Sequence, residues 1–434
     1  MSKERKLKDN IVLGLAWFFS LISVVILFVI LVYIFQNGFS SLSWRMISGD
    51  YNSKNVIAQI NEERPEDGAI GNFTMPASVK EENEEKVYFS KKLGIALIDS
   101  VDKQKSATVK VVYIDPESPL NKSESITAGD EGKILAPYPG MVLKRLKFYD
   151  TAGELVTVGP MAQQNAEETV KTIDNKAERY HDYYGQSLGG GIRGSMVTSV
   201  ILIAITLVIV LPVGICAAIW LNEIAPKTGM TNVVRTGIDM LAGVPSIIFG
   251  LMGMTMLYPI TAAFGVEGQS ILLGGLTMSV VLLPLVIRQT EEALKTVPMA
   301  MRSGSLSLGA SQTQTIFKVV LPQAMPGIIT ACLLSISRVI GESAALIYVM
   351  GTAISDKPII NRGATTLALH IWKVMSGEQP DFEQATAISI VILVLVLILN
   401  FATRFILVRI HESQIGEDMK QKPKKKPAKA IAEQ

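Results

Sequence analysis

"VPMAMRSGSLSLGASQTQTIFKVVLPQAMPGI", residues 297–328, is a polar stretch set between two long apolar runs. Gly309 stands where a C′ glycine ends a short helix. Ser311 then opens a second helix, with Gln314 three positions later to complete a capping box. Ile316, Val319 and Val320 give that second helix an apolar side. Eleven residues separate Gly309 from the pair Leu321–Pro322. The spacing predicts two short helices meeting at a glycine elbow, a knob that another protein can grip.

The surroundings of this knob belong in lipid. The chain has 434 residues, of which 49% are hydrophobic and 18% charged, with a mean hydropathy of +0.34. Soluble domains carry about 25% charged residues. Six spans follow from the hydropathy: residues 11–35, 196–221, 237–262, 271–287, 326–350 and 385–406. The first has no charge in its 25 residues. It is too long for a signal-peptide core and has no clear cleavage site after it, so it reads as an uncleaved anchor.

Basic residues mark the cytoplasmic side of a membrane protein. "MSKERKLKD" opens the chain and "KPKKKPAK" nearly closes it, so both termini are expected inside. That places the polar insert, residues 37–192, outside, and the loop at 289–325 inside. Within the insert, "TVKVVYID", "EKVYFS" and "GELVTV" alternate as short strands do, between the turns "PEDG", "PESP" and "PYPG". The expected fold is therefore an all-α polytopic membrane bundle of about six transmembrane helices with an inserted, β-rich extracytoplasmic domain. Its parts are residues 1–36, the insert 37–192, a core 193–410 and a basic tail 411–434. The glycines of "SLGGGIRGS", 187–195, read either as the joint by which the insert re-enters the membrane or as a plain flexible linker.

Several functions are not encoded. Cys216 and Cys332 both fall in apolar runs, and the three histidines are scattered, so no disulfide framework, metal site or cofactor site is expected. "AGDEGKI" lacks the spacing and hydroxyl of a P-loop. No nucleophile–base arrangement is visible, and nothing points to nucleic acid. ATP hydrolysis, if used, belongs to another chain.

The 297–328 stretch resembles the "EAA" loop of ABC-importer permeases: the glycine, its spacing to "LP" and the following "PGI" all match. Ser303-Gly304-Ser305 stand where that family has Glu-Ala-Ala. Further blocks resemble the phosphate-importer permease of the PstA type, over about residues 188–410: "GGIRGSMVTSVILIAITLVIVLPVGICAAIWLNEIA", "GVPSIIFGLMG", "LPLVIRQTEEALKTVP" and "SRVIGESAALIYVMG". Gly341-Glu342-Ser343-Ala344-Ala345 replace that family's "GET-A-P". The resemblance implies a type I importer fold, a sister permease subunit and two cytoplasmic ATPase subunits docked on the inner loops. It also implies an extracytoplasmic phosphate-binding protein.

"SRVIGESAAL", 337–346, puts two charges into a span. Each costs about 2.5–3.5 kcal/mol at mid-bilayer even on a lenient scale, so intramembrane charges are functional by default. Arg338 lies twelve residues beyond Pro326, roughly 18 Å along a helix and near the midplane. A guanidinium is a planar fork suited to an oxyanion. Glu342, four residues on, is expected on the same helical face, neutralising Arg338 and keeping anion binding weak enough for release. A structural ion pair between helices is the other reading.

Arg288, at the inner end of the fourth span, is either a snorkelling anchor or, as the resemblance implies, part of the anion path with Arg338 and Glu342. Asp239 reads as interfacial. Gly250, Gly253, Pro212, Pro245 and Pro284 suit close helix contacts and kinks. The function expected is a phosphate-import permease. Its rivals are a permease for another oxyanion, such as molybdate or sulfate, and a membrane-anchored receptor or scaffold.

Overall fold

In a computed structural model of the protein, residues 3–81, 86–101, 107–127, 131–187, 189–226, 228–377 and 380–420 are described. They divide into two compact units, one of residues 1–49 with 192–434 and one of residues 50–191. The basic segment "KPKKKPAK" lies outside the described residues.

The first unit is helical. Among the described residues six helices are long and apolar enough to cross a membrane: Ile11–Gly38, Arg193–Ile224, Ser246–Ala263, Ile271–Lys295, Gln312–Gly341 and Phe382–Ala402. The fourth lies at the centre, with 61% of its most apolar window buried, whereas the same window of the first is wholly exposed. Leu202 and Val210 of the second span, Leu273, Met278 and Leu282 of the fourth, and Val339 of the fifth form one apolar cluster. A second cluster at the loop end joins Ile219, Leu294, Val297, Ile316 and Val320. Glycine permits the closest approach: a Cβ at Gly250 would collide with the backbone carbonyl of Ala345, and one at Gly253 with Thr277.

Three spans depart from expectation, the fourth by running on to Lys295 where an end at 287 was expected. The third was expected as one helix over 237–262, but Gly229–Ala242 ends at Gly243 and a new helix starts at Ser246. Val244 precedes Pro245, whose ring disfavours helical backbone in the residue before it. The fifth was expected over 326–350. It begins earlier, at Gln312, and ends at Gly341, with Glu342 extended (φ −79°, ψ 130°). Inside it, the backbone over Ile316–Val320 widens to a π turn just ahead of Pro322. The wider turn re-registers the hydrogen bonds where the proline has no N–H, so the helix continues.

The second unit is the β-rich insert. Its strands are β1 (Asn55–Gln59), β2 (Tyr88–Ser90), β3 (Ile95–Val101), β4 (Ala107–Ile114), β5 (Glu124–Ser125), β6 (Val142–Tyr149), β7 (Leu155–Val158) and β8 (Arg179–Gln186). They form one sheet in the order β2-β3-β4-β6-β8-β1-β5, with β7 also on β6. All pairings are antiparallel. Leu143, Leu146 and Phe148 of β6 face the core, and a register shift at Leu143/Arg145 keeps Lys144 and Arg145 out of it. Helix Ala166–Lys176 buries Val170 and Ile173 against the sheet and starts with a complete capping box, Asn165 with Glu168. Burial raises the Tyr180 phenol well above its ordinary pKa, and its hydroxyl meets that of Ser123 at 3.0 Å.

Candidate functional site

The loop between the fourth and fifth spans takes the expected form. Helix Met299–Ser307 stops at Gly309, which has φ +88°. Gly309 N donates to Leu306 O, and Ala310 N to Ser305 O, the paired reverse bonds of a Schellman end. Ser311 Oγ accepts from Gln314 N while the Gln314 side chain accepts from Ser311 N, closing the capping box that opens helix Gln312–Thr315. Ser305 Oγ and Thr315 Oγ1 lie 2.9 Å apart and brace the two helices. Ile316 and Val320 are buried and Val319 half-buried. Ser303, Gly304 and Pro322 are exposed and Leu321 is half-buried. The tip is apolar: Leu308 is 90% exposed, and Met299, Leu306 and Phe317 are also uncovered.

Arg338 and Glu342 sit close in sequence but are not brought together as an ion pair. Arg338 lies in the last turn of its helix, exposed, and has no hydrogen-bond or ionic partner among the described residues. Glu342 lies past the helix end and is buried. Its Oε1 accepts from Ala345 N at 3.3 Å. The shared helical face expected for the pair is therefore corrected. Gly341 favours helix termination, and Glu342 N then bonds Val339 O instead of the carbonyl four back. The acid fastens the turn after the helix, and the base is left facing outward.

Arg288 is fully engaged. It contacts Asp239 of the severed third span and reaches Glu291 Oε2 at 3.8 Å. Glu291, 1% exposed, also pairs with Arg235 at 3.3 Å. Arg235 further donates to Leu221 O at the end of the second span. The position of Asp239 reads from sequence as interfacial; the structure makes it the counter-ion of Arg288.

A second ionic contact joins Glu223, at the end of the second span, to Arg302 of the loop. Sequence reasoning passed over Glu223 and Arg235 altogether. Each is a charge just beyond an apolar run, a position where any anchor residue stands, and their partners are dozens of residues away. Among the described residues no group of three or more His, Cys, Asp or Glu side chains is placed to hold a metal ion.

Residues 210–413 match the family of binding-protein-dependent transport system inner membrane components. A probable ABC transporter permease, YqgI of Bacillus subtilis, is 36% identical over 233 residues, which are 50% of this chain and 78% of that protein. The phosphate transport system permease PstA 1 of Mycobacterium tuberculosis H37Rv is 30% identical over 224 residues, 51% of this chain and 71% of the relative. A solved chain of the MetNI methionine ABC transporter in an inward facing conformation aligns at 21% identity and a TM-score of 0.40, over 50% of this chain and 95% of its own length. The family match, residues 210–413, holds the loop between the fourth and fifth spans, Arg288 and Arg338. This multi-pass membrane protein belongs to the ABC-importer permeases of the PstA type.

Proposed function

We propose that the chain is the transmembrane permease subunit of an ATP-driven importer of inorganic phosphate. The observation that carries the reading is Arg338, an exposed cation in the last turn of the fifth span, nearer its end than the mid-depth the sequence suggested, with no partner among the described residues. A charge within a membrane span is costly without a counter-ion, and a transient one suffices. A passing phosphate anion meets that description, and the similarity to PstA permeases favours phosphate over other oxyanions.

In this reading both termini are cytoplasmic and the β-rich insert is extracytoplasmic. A sister permease supplies the other wall of the path, beside Arg338. Glu342 sets the backbone turn that ends the Arg338 helix, and Arg288 lies at the inner end of the route with its charge balanced by Asp239 and Glu291. An extracytoplasmic phosphate-binding protein delivers the anion. Two ATPase subunits take the loop around Ser303, Gly304, Ser305 and Gly309, whose exposed leucines offer an apolar grip, with Leu321 and Pro322 at the start of the span behind it.

The test is Arg338→Gln in the reconstituted complex. Assembly should be retained and ATP-dependent phosphate uptake abolished; uptake at the parental rate would remove Arg338 from the mechanism. Competition by molybdate and sulfate separates phosphate from other oxyanions.

A further inference from the structure

We infer that Glu223, Arg302 and Gln312 form the joint through which the inner loop moves the second span. The inference rests on the reading of that loop as the part driven by the ATPases. Glu223 sits in the π turn Trp220–Ile224 that ends the second span. Arg302 grips its carboxylate with two donors, Nη2 to Oε1 at 2.8 Å and Nε to Oε2 at 3.2 Å. Asn222 Nδ2 adds a third, 2.7 Å from Oε1. Gln312 Nε2, from the other helix of the loop, donates to the Glu223 carbonyl at 2.8 Å. Both loop helices thus hold one residue of a different span.

The geometry suits transmission of movement. A bidentate guanidinium–carboxylate contact resists rotation as well as separation. The two side chains are 14% and 9% exposed, so salt screens the contact little. Arg302 also donates to Val297 O and Leu294 O at the end of the fourth span. One guanidinium therefore ties the loop to two spans. Beside it lies a cavity of about 580 Å³, lined by Leu221, Thr231, Asn232 and Met299 among others, into which an unfastened loop can shift. Glu223 and Arg302 are positioning residues; neither lies near Arg338 in the chain.

The test uses the whole transporter in vesicles, with its ATPase, sister and phosphate-binding subunits, and measures ATP hydrolysed per phosphate imported. Glu223→Gln should raise that ratio about tenfold, within the usual range of coupling between sites. Gln312→Ala removes one exposed side chain, does not threaten folding, and should raise the ratio by a smaller factor. Unchanged ratios in both variants overturn the inference, and Gln312→Ala alone decides if Glu223→Gln does not assemble.

Should the parental complex import no phosphate, the substrate reading fails while the joint is still judged by distance. Spin labels at Ser303→Cys and Trp220→Cys, in a Cys216→Ser, Cys332→Ser background, should give one narrow distance distribution that broadens in Glu223→Gln. Equal widths in both overturn the joint.

Discussion

Arg288 and Asp239 face each other across two helices, and Glu291, one turn along from Arg288, holds that same guanidinium and the one on Arg235. One buried acid thus serves two bases at the loop end of the bundle. Glu291→Gln takes the carboxylate from Arg235 and leaves Arg288 with Asp239 alone. Breaking a fully buried pair costs about 3–5 kcal/mol; with Arg235 and Arg288 each 34% exposed, about 2 kcal/mol is expected here. The thermal midpoint in detergent should fall, and Asp239→Asn, at a 52% exposed site, should lower it less. Equal midpoints for parent and Glu291→Gln would count against the shared-acid arrangement.

His370 gives a pH dependence with a definite sign. It lies in helix Leu367–Met375, outside the six spans, fully buried, with Nδ1 2.9 Å from Ser195 Oγ. Burial holds its pKa down to about 4, against about 6.5 for an exposed imidazole. Between those values the unfolded chain binds more protons than the folded one, so stability rises with pH across the window. The contribution is complete above about pH 6.5 and is lost as pH falls toward 4, at most about 3 kcal/mol. Thermal midpoints across pH should diverge between parent and His370→Asn in that window; superimposable profiles would refute the assignment.

Gly309 tests the loop. At φ +88° a β-branched residue is strained by more than the 1–2 kcal/mol roughly expected of an ordinary L-residue in the left-handed region. Gly309→Val should disrupt the Schellman bonds and reduce recovery of ATPase subunits with the purified chain. Gly309→Ala should do so mildly. Full recovery with valine would mean that the elbow is not needed for capture.

The β-rich unit, residues 50–191, has its own core around Leu143, Leu146, Phe148, Tyr180 and Tyr183. Expressed alone it should melt cooperatively by circular dichroism, and Phe148→Ala should lower its stability by about 3–5 kcal/mol. A non-cooperative melt would show that the unit depends on the rest of the chain.

What could be read from sequence follows the range of each interaction. The Ser311–Gln314 box and the Gly309 elbow are written within a few residues, and both appear as the spacing says. The strands carrying "TVKVVYID" and "GELVTV" show by alternation, because side chains of a strand point to opposite faces in turn. Hydropathy found all six spans but misplaced the ends of three. It averages over Val244-Pro245 and Gly341-Glu342, where backbone geometry decides rather than apolarity. The Glu223–Arg302 contact joins residues 79 positions apart, and no local pattern announces it. Arg338 stood out as a charge within an apolar run; its lack of a partner among the described residues needed the fold.

The helix that starts in the inner loop at Gln312 runs without interruption to Gly341, with Arg338 in its final turn. It is a lever about 40 Å long from loop to guanidinium, at 1.5 Å per residue. A tilt of about five degrees at the loop end sweeps the charge sideways by about 3.5 Å, more than separates a hydrogen bond from no bond at all. On the function proposed above, the anion contact and the loop that the ATPases drive are two ends of one helix.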